Sequence, residues 1–389
     1  MSVTYAQGFA AAGVPAGISS IAGKKDLAVV TNQGPLDVAA GVFTSNRFCA
    51  APVQWSRGAV ADGHLKAVVV NSGGANACTG QAGYDQSART AAAMASKLGV
   101  DAEQVAVAST GLIGELLPLD NVLQGVDHAF GQLAESEEAG SDASHAIMTT
   151  DTNPKTVTLD GSGYHMGGMV KGSGMIAPQL ATMICVITTD AVISSEQAQQ
   201  SLREATGTSF DRIDVDGCMS TNDTVLLLAS GASGVEADAK EFTSLLSQAC
   251  ASLARQIVGD GEGSSHDVNV TVEGAISEEA ALTCARAIAG SNLLKCAIAG
   301  NDPNWGRVVS SLGTVPESVA PYDPNEVTVD INGVRVCDGG KPGESRSLVT
   351  MEEREVTITV NLHAGSAQGT IWTDDLTVDY VHINSDYES

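Results

Sequence analysis

Short apolar runs that give way to small polar residues recur along the chain. They include Leu27-Ala-Val-Val30, Gly41-Val-Phe-Thr44, Leu65-Lys-Ala-Val-Val-Val-Asn71, Val105-Ala-Val-Ala108, Met183 to Ile187 and Val225 to Ala229. Runs this short and rich in valine and isoleucine read as strands, and those without polar alternation as buried ones. Longer segments with helical spacing lie between them. These are Tyr84 to Leu98, stopped by Gly99; Asp120 to Leu133; the stretch from a capping box at Ser194-Ser-Glu-Gln197 to Ala205; Phe242 to Val258; and Ser277 to Ala289. Ala134 to Asp142 reads as an acidic surface segment, Gly161-Ser-Gly163 as a hairpin turn and Asp302 to Arg307 as a rigid turn. The last part is expected to be β-rich: Glu326 to Val336, Glu355 to Leu362, Gly369 to Trp372 and Leu376 to Ile383. Strands interleaved with helices predict an α/β fold, a layered sandwich of β-sheets with packed helices.

Composition narrows the function. The net charge of −26 repels nucleic acid and anionic membrane, so neither is an expected partner. No apolar run reaches the ~18 to 20 residues of a bilayer span, and the N-terminus lacks the pattern of a signal peptide, so a cytoplasmic protein is expected. The eight cysteines never form Cys-x-x-Cys and sit mostly among apolar residues, as reduced, buried side chains would. No metal site is signalled by the dispersed histidines. Against this acidic background, a lysine beside a glycine-rich loop carries more weight as a carboxylate ligand.

One stretch holds the candidate chemistry. Lys171-Gly-Ser-Gly-Met-Ile-Ala-Pro-Gln-Leu runs into Ala181-Thr182 and then the apolar Met183 to Ile187. A threonine hydroxyl there could attack the Ala181 carbonyl, and hydrolysis of the resulting ester would free Thr182 as a new terminus. Its α-amine, with a reference pKa of roughly 7.7–8.0, would be a base beside its own hydroxyl. On these residues alone, an ordinary buried strand after a loop is the simpler reading.

Met148-Thr-Thr-Asp-Thr152, Asn71 to Gly80, Ser109-Thr-Gly111, Asn222-Asp-Thr224 and Asp302-Pro-Asn-Trp-Gly-Arg307 add to that stretch, in order and over nearly the whole chain. Together they resemble the ornithine acetyltransferase family, the bifunctional glutamate N-acetyltransferases of arginine biosynthesis. Gly74 stands where the family usually has a second asparagine. The resemblance implies an autoprocessed N-terminal-nucleophile fold that self-cleaves between Ala181 and Thr182, giving chains 1–181 and 182–389 that stay associated and pair into an α2β2 tetramer. It implies Thr182 as nucleophile, with Thr110 and Gly111 as the oxyanion hole. Thr149 (with Thr150 close behind), Lys171, Thr182, Glu262, Asn384 and the terminal Ser389 would bind substrate. The acetyl group would pass from N2-acetylornithine to glutamate with no metal or bound cofactor, and acetyl-CoA remains open as a second donor. The alternatives are a related amidohydrolase or aminopeptidase, a paralogue acting on ornithine-like substrates, and a scaffold that retains only the fold.

Overall fold

The computed structural model describes residues 2–177 and 183–386. Ala181, Thr182 and Ser389, three of the expected site residues, lie outside the described residues. The described residues divide into two compact units: those up to Asp211 with Cys218–Ile257, and Arg212–Gly217 with 258–386.

The first unit stacks two sheets between helices. One sheet has the order Phe9–Val14, Leu27–Asn32, Ala67–Gly74, Val105–Leu112, the last pair parallel. The other runs Val38–Phe43, Thr224–Ala229, Ile184–Thr189, His165–Lys171, Lys155–Asp160. The apolar runs lack polar alternation because both strand faces are buried. In Ala67–Gly74, Val68 and Val70 join the core that also takes Val186 and Leu226 of the second sheet. Ala67 and Val69 instead meet Met94 of helix Gly80–Leu98 and Val126 of helix Leu119–Gly131. Helix Gly80–Leu98 ends as expected at Gly99, whose φ of 71° is left-handed. The helix after Ser194 also forms, as Ser195–Gly207, with the Ser194 hydroxyl accepting the Gln197 N–H. Among the described residues only this half of the capping box, the Ser194 cap, is recorded.

Strand Ile184–Thr189 pairs with His165–Lys171 on one side and Thr224–Ala229 on the other. A cut at 181/182 would therefore leave two chains sharing one continuous hydrogen-bonded sheet, which is a strong physical reason for them to stay together.

The acidic segment near Ala134 is instead largely helix, Glu137–Ala146, capped by Ser136. Its small residues bring it against the first strand so closely that a Cβ at Gly13 would lie 2.0 Å from the Asp142 carbonyl oxygen.

The second unit is one mixed sheet with helices Glu278–Ala289, Asn292–Ala299 and Trp305–Leu312. Its strand Glu355–Asn361 alternates exposed and buried, as expected for a sheet covered on one face. One β expectation fails here, and two others are refined. The run Glu326 to Val336 is broken by Asn332-Gly333, both with positive φ, into the hairpin Thr328–Ile331 and Val334–Asp338. The proposed strand Leu376 to Ile383 is mostly helix, Val378–Asp386, begun by the Thr377 hydroxyl accepting the Tyr380 N–H at 3.2 Å. The expected turn at Asp302 to Arg307 already enters helix at Trp305. Of the cysteines, all free, Cys185, Cys250, Cys284 and Cys337 are buried while Cys78, Cys218 and Cys296 are exposed.

Candidate active site

Ser109, Thr110 and Gly111 are part of strand Val105–Leu112, with Thr110 opposite Ser72 and Gly111 opposite Gly73. Gly111 has φ of 130°, and a Cβ there would lie 2.5 Å from the Gly73–Gly74 backbone, so only glycine fits. Polar side chains lock this strand end. The Ser109 hydroxyl donates to Asn71 Oδ1 at 2.6 Å, and Asn71 Nδ2 donates to the Gly74 carbonyl at 3.0 Å. Asn222 Nδ2 donates to the carbonyls of Ala75 and Ser109, at 2.6 and 2.8 Å.

Lys171 is the last residue of its strand, not part of the loop, and is 2% exposed. Its Nζ donates to Thr110 Oγ1 at 3.2 Å. Since the ammonium donates, the hydroxyl oxygen accepts and the hydroxyl proton stays available to another acceptor. Close by in charge is Asp151, which accepts Lys155 Nζ at 2.7 Å and the Gly172 N–H at 2.7 Å. Burial pushes its carboxyl up, but Lys171, Lys155 and the Gly172 amide outweigh that and hold it below the usual carboxylate value. Asp151 also accepts the Thr149 N–H at 3.0 Å, linking Thr149 to the lysine cluster. Thr149 lines a cavity of about 510 Å³ with Met148, His145 and Lys24. Burial lowers the Lys24 ammonium pKa.

Asp223 is fully buried and accepts the Met183 N–H at 3.1 Å. Burial pushes its carboxyl well above the ordinary range, against smaller pulls from the Met183 amide and the Lys171 charge.

In the second unit Asn384 Nδ2 donates to Glu262 Oε2 at 2.7 Å. The helix that carries Asn384 lies against the Glu262 loop: Thr377 donates to the Gly263 carbonyl at 2.6 Å, and a Cβ at Gly263 would lie 2.5 Å from the Tyr380 nitrogen. The fold thus unites Thr110, Gly111 and Lys171, ties Thr149 to them through Asp151, and joins Glu262 to Asn384.

Ser265, His266 and Asp375 also meet, yet not as a nucleophilic triad. Serine and aspartate both contact His266 Nδ1, and Nε2 faces the Met351 carbonyl at 3.1 Å. A triad needs the serine and the acid on opposite ring nitrogens. Among the described residues there is no group of three potential metal ligands, and no helix is long and apolar enough to cross a membrane.

Asn71, Asp151, Asn222 and Asp223 were not assigned roles from sequence. For Asn71, Asn222 and Asp223 the signal was a polar residue beside an apolar run, which position alone does not separate from caps and turns; Asp151 lies in a polar stretch.

Residues 10–389 match the ArgJ family model. The chain is 71% identical, over the full length of both, to the arginine biosynthesis bifunctional protein ArgJ of Bifidobacterium longum. It is 54% identical, again over both full lengths, to the protein of that name in Thermobifida fusca. A solved structure of Mycobacterium tuberculosis ornithine acetyltransferase complexed with ornithine shares 48% identity with it. That comparison covers 47% of this chain and 96% of the other, with a TM-score of 0.45. The full-length matches bear out the resemblance carried by the motifs: the chain belongs to the ArgJ family.

Proposed function

We propose that this protein transfers the acetyl group of N2-acetyl-L-ornithine to L-glutamate in arginine biosynthesis, through an acetyl ester on Thr182 freed by self-cleavage after Ala181. Family membership supports the reaction. The single structural observation that carries the reading is the Lys171 ammonium on the Thr110 hydroxyl, beside the glycine-only Gly111.

In the first half-reaction the Thr182 Oγ bonds to the acetyl carbon as the hydroxyl proton passes to the threonine's own α-amine. The developing oxyanion is met by Thr110 and Gly111, where loss of one donor typically costs roughly 2.7–4 kcal/mol. The carbon–nitrogen bond breaks, the proton moves to the departing amine, and ornithine leaves. In the second half the α-amine of glutamate attacks the ester, the carbon–Oγ bond breaks and threonine regains its proton. Lys171 holds the substrate carboxylate and Glu262 the amino end, while Thr149, Asn384 and Ser389 make further substrate contacts. Acetyl-CoA remains an open second donor, since its thioester carries the same acetyl group. No metal or resident cofactor takes part. The enzyme is cytoplasmic, and its chains 1–181 and 182–389 assemble as α2β2.

Intact-protein mass spectrometry of wild type beside Thr182→Ala tests the reading. Wild type is expected as two species meeting at 181/182 and the variant as one, with acetylornithine–glutamate exchange only in the former. A wild type that exchanges while uncleaved overturns the mechanism.

A further inference from the structure

Three consecutive residues, Asn222, Asp223 and Thr224, touch both halves of the proposed reaction centre. The amide nitrogen of Met183 belongs to the peptide bond that Thr182 itself begins. Its N–H is held by Asp223 Oδ1, and the Met183 carbonyl accepts the Thr224 N–H at 3.1 Å. Met183 is therefore gripped at both ends by the dipeptide 223–224. One residue earlier, Asn222 uses both of its side-chain N–H donors on Ala75 and Ser109, and Ser109 directly precedes Thr110. Its Oδ1 is occupied as well, accepting the Thr221 hydroxyl at 2.5 Å. The tripeptide is itself anchored: Thr44 N–H donates to the Asp223 carbonyl at 3.0 Å, and strand Thr224–Ala229 continues in parallel register with Ile184–Thr189.

Asp223 is an unusual choice for a purely structural acceptor. Its Oδ2 is buried with no partner at hydrogen-bond distance among the described residues, and the Thr44 and Ser220 side chains offset only part of the cost of burying the carboxyl. A buried carboxyl with an unsatisfied oxygen disfavours folding compared with an apolar residue of similar size, so its presence asks for a role.

Building on the acetyl-threonine reading, we propose that Asp223 is a positioning residue. As a hydrogen-bond acceptor it fixes the amide that follows Thr182, while Asn222 fixes the strand end that presents Thr110 and Gly111. One rigid tripeptide thereby sets the register between Met183, the residue after the nucleophile, and the strand end that carries the oxyanion donors. Burial raises the carboxyl pKa, and the Lys171 charge acts in the opposite direction.

The test compares full-length wild type, Asp223→Ala and Asp223→Asn for extent of self-cleavage, exchange kinetics, pH profile and melting temperature. Misplacing a reacting group by about 1 Å costs on the order of 100-fold, so Asp223→Ala is expected to slow cleavage and lower kcat by about 10- to 100-fold. KM should stay within about twofold, since the substrate contacts remain. Asp223→Asn keeps an acceptor of the same shape and is expected to rescue both rates with an unchanged pH profile. Wild-type rates in Asp223→Ala overturn the proposal. So does an Asp223→Asn as damaged as Asp223→Ala, which would mean that the proton or charge matters. Should Asp223→Ala fail to fold, the Asp223→Asn pH profile decides: unchanged supports the proposal, and a shifted limb overturns it. Wild type that neither cleaves nor exchanges would count against the parent reading, whereas an active wild type beside an unaffected Asp223→Ala counts only against this inference.

Discussion

In the first unit Lys155 donates to Asp151 at 2.7 Å; in the second Lys295 donates to Asp374 at 2.6 Å. Both pairs are buried, yet their carboxyls move in opposite directions. Asp151 is held below the usual value, while Asp374 is pushed up to about 7. Burial raises both, so the neighbouring charges decide. Asp151 feels two lysines, Lys171 and Lys155, and a backbone N–H. Asp374 has Lys295 alone, opposed by Asp375 and Asp216. Among these named groups positive charge prevails beside Thr110, and negative charge prevails around Lys295. A site for carboxylate substrates and an oxyanion intermediate requires the first arrangement, all the more in a chain of net charge −26. Lys295 also donates to the Thr373 hydroxyl and the Val215 carbonyl, so it clamps the edge of the second unit's sheet.

Removing each lysine should separate the two roles. Lys295→Ala leaves Asp374 buried without its partner, and breaking such a pair costs about 3–5 kcal/mol. The expected result is a large fall in melting temperature. Replacing both members with apolar residues of similar volume, Lys295→Met with Asp374→Leu, should recover most of that loss, because buried pairs often contribute little net stability. Lys171→Met behaves differently. Asp151 keeps Lys155, so the fold survives, while Thr110 loses the ammonium on its hydroxyl, and kcat of exchange is expected to fall by up to about 100- to 1,000-fold, the range for a lost oxyanion donor. A Lys171→Met enzyme with wild-type kcat would remove the distinction between the clusters.

The contrast was only half visible in the sequence. Lys171 stood out as a lysine in a glycine-rich stretch of an acidic chain, but nothing showed that it would end a strand and reach Thr110 sixty-one positions away. Asp151 lay within a quoted motif and still went unassigned, since its meaning comes from two lysines that the fold delivers. The uninterrupted apolar runs were reliable guides because both faces of the first unit's sheets are buried. Helix Glu137–Ala146 was missed for the converse reason: it packs through Ala139, Gly140 and Ala143, which carry almost no hydrophobic signal. Leu376 to Ile383 misled through its valines, isoleucine and tyrosine, residues of high β-propensity, whereas the Thr377 cap and contact with Gly263 favour helix. Only in the second place did contacts prevail over local preference.

The smallest and sharpest difference lies in the pH dependence of stability. Asp151 has a folded pKa below its unfolded value of roughly 3.9. Its contribution is therefore complete above that pH and disappears as the pH falls through the folded value. Asp374 has the opposite sign. Its folded value of about 7 means that the folded state favours the protonated acid. The stability this gives is full below roughly pH 3.9 and is lost as the pH rises toward 7. Melting temperatures from pH 3 to 8 should then diverge in two separate windows. Asp151→Asn should lie below wild type at neutral pH and converge with it only in acid. Asp374→Asn should gain on wild type as the pH rises from about 4 to about 7, because it has no proton to lose there. If both variants track wild type in parallel across that range, neighbouring charge does not separate the two aspartates, and the distinction between a catalytic and a clamping lysine must rest on kinetics alone.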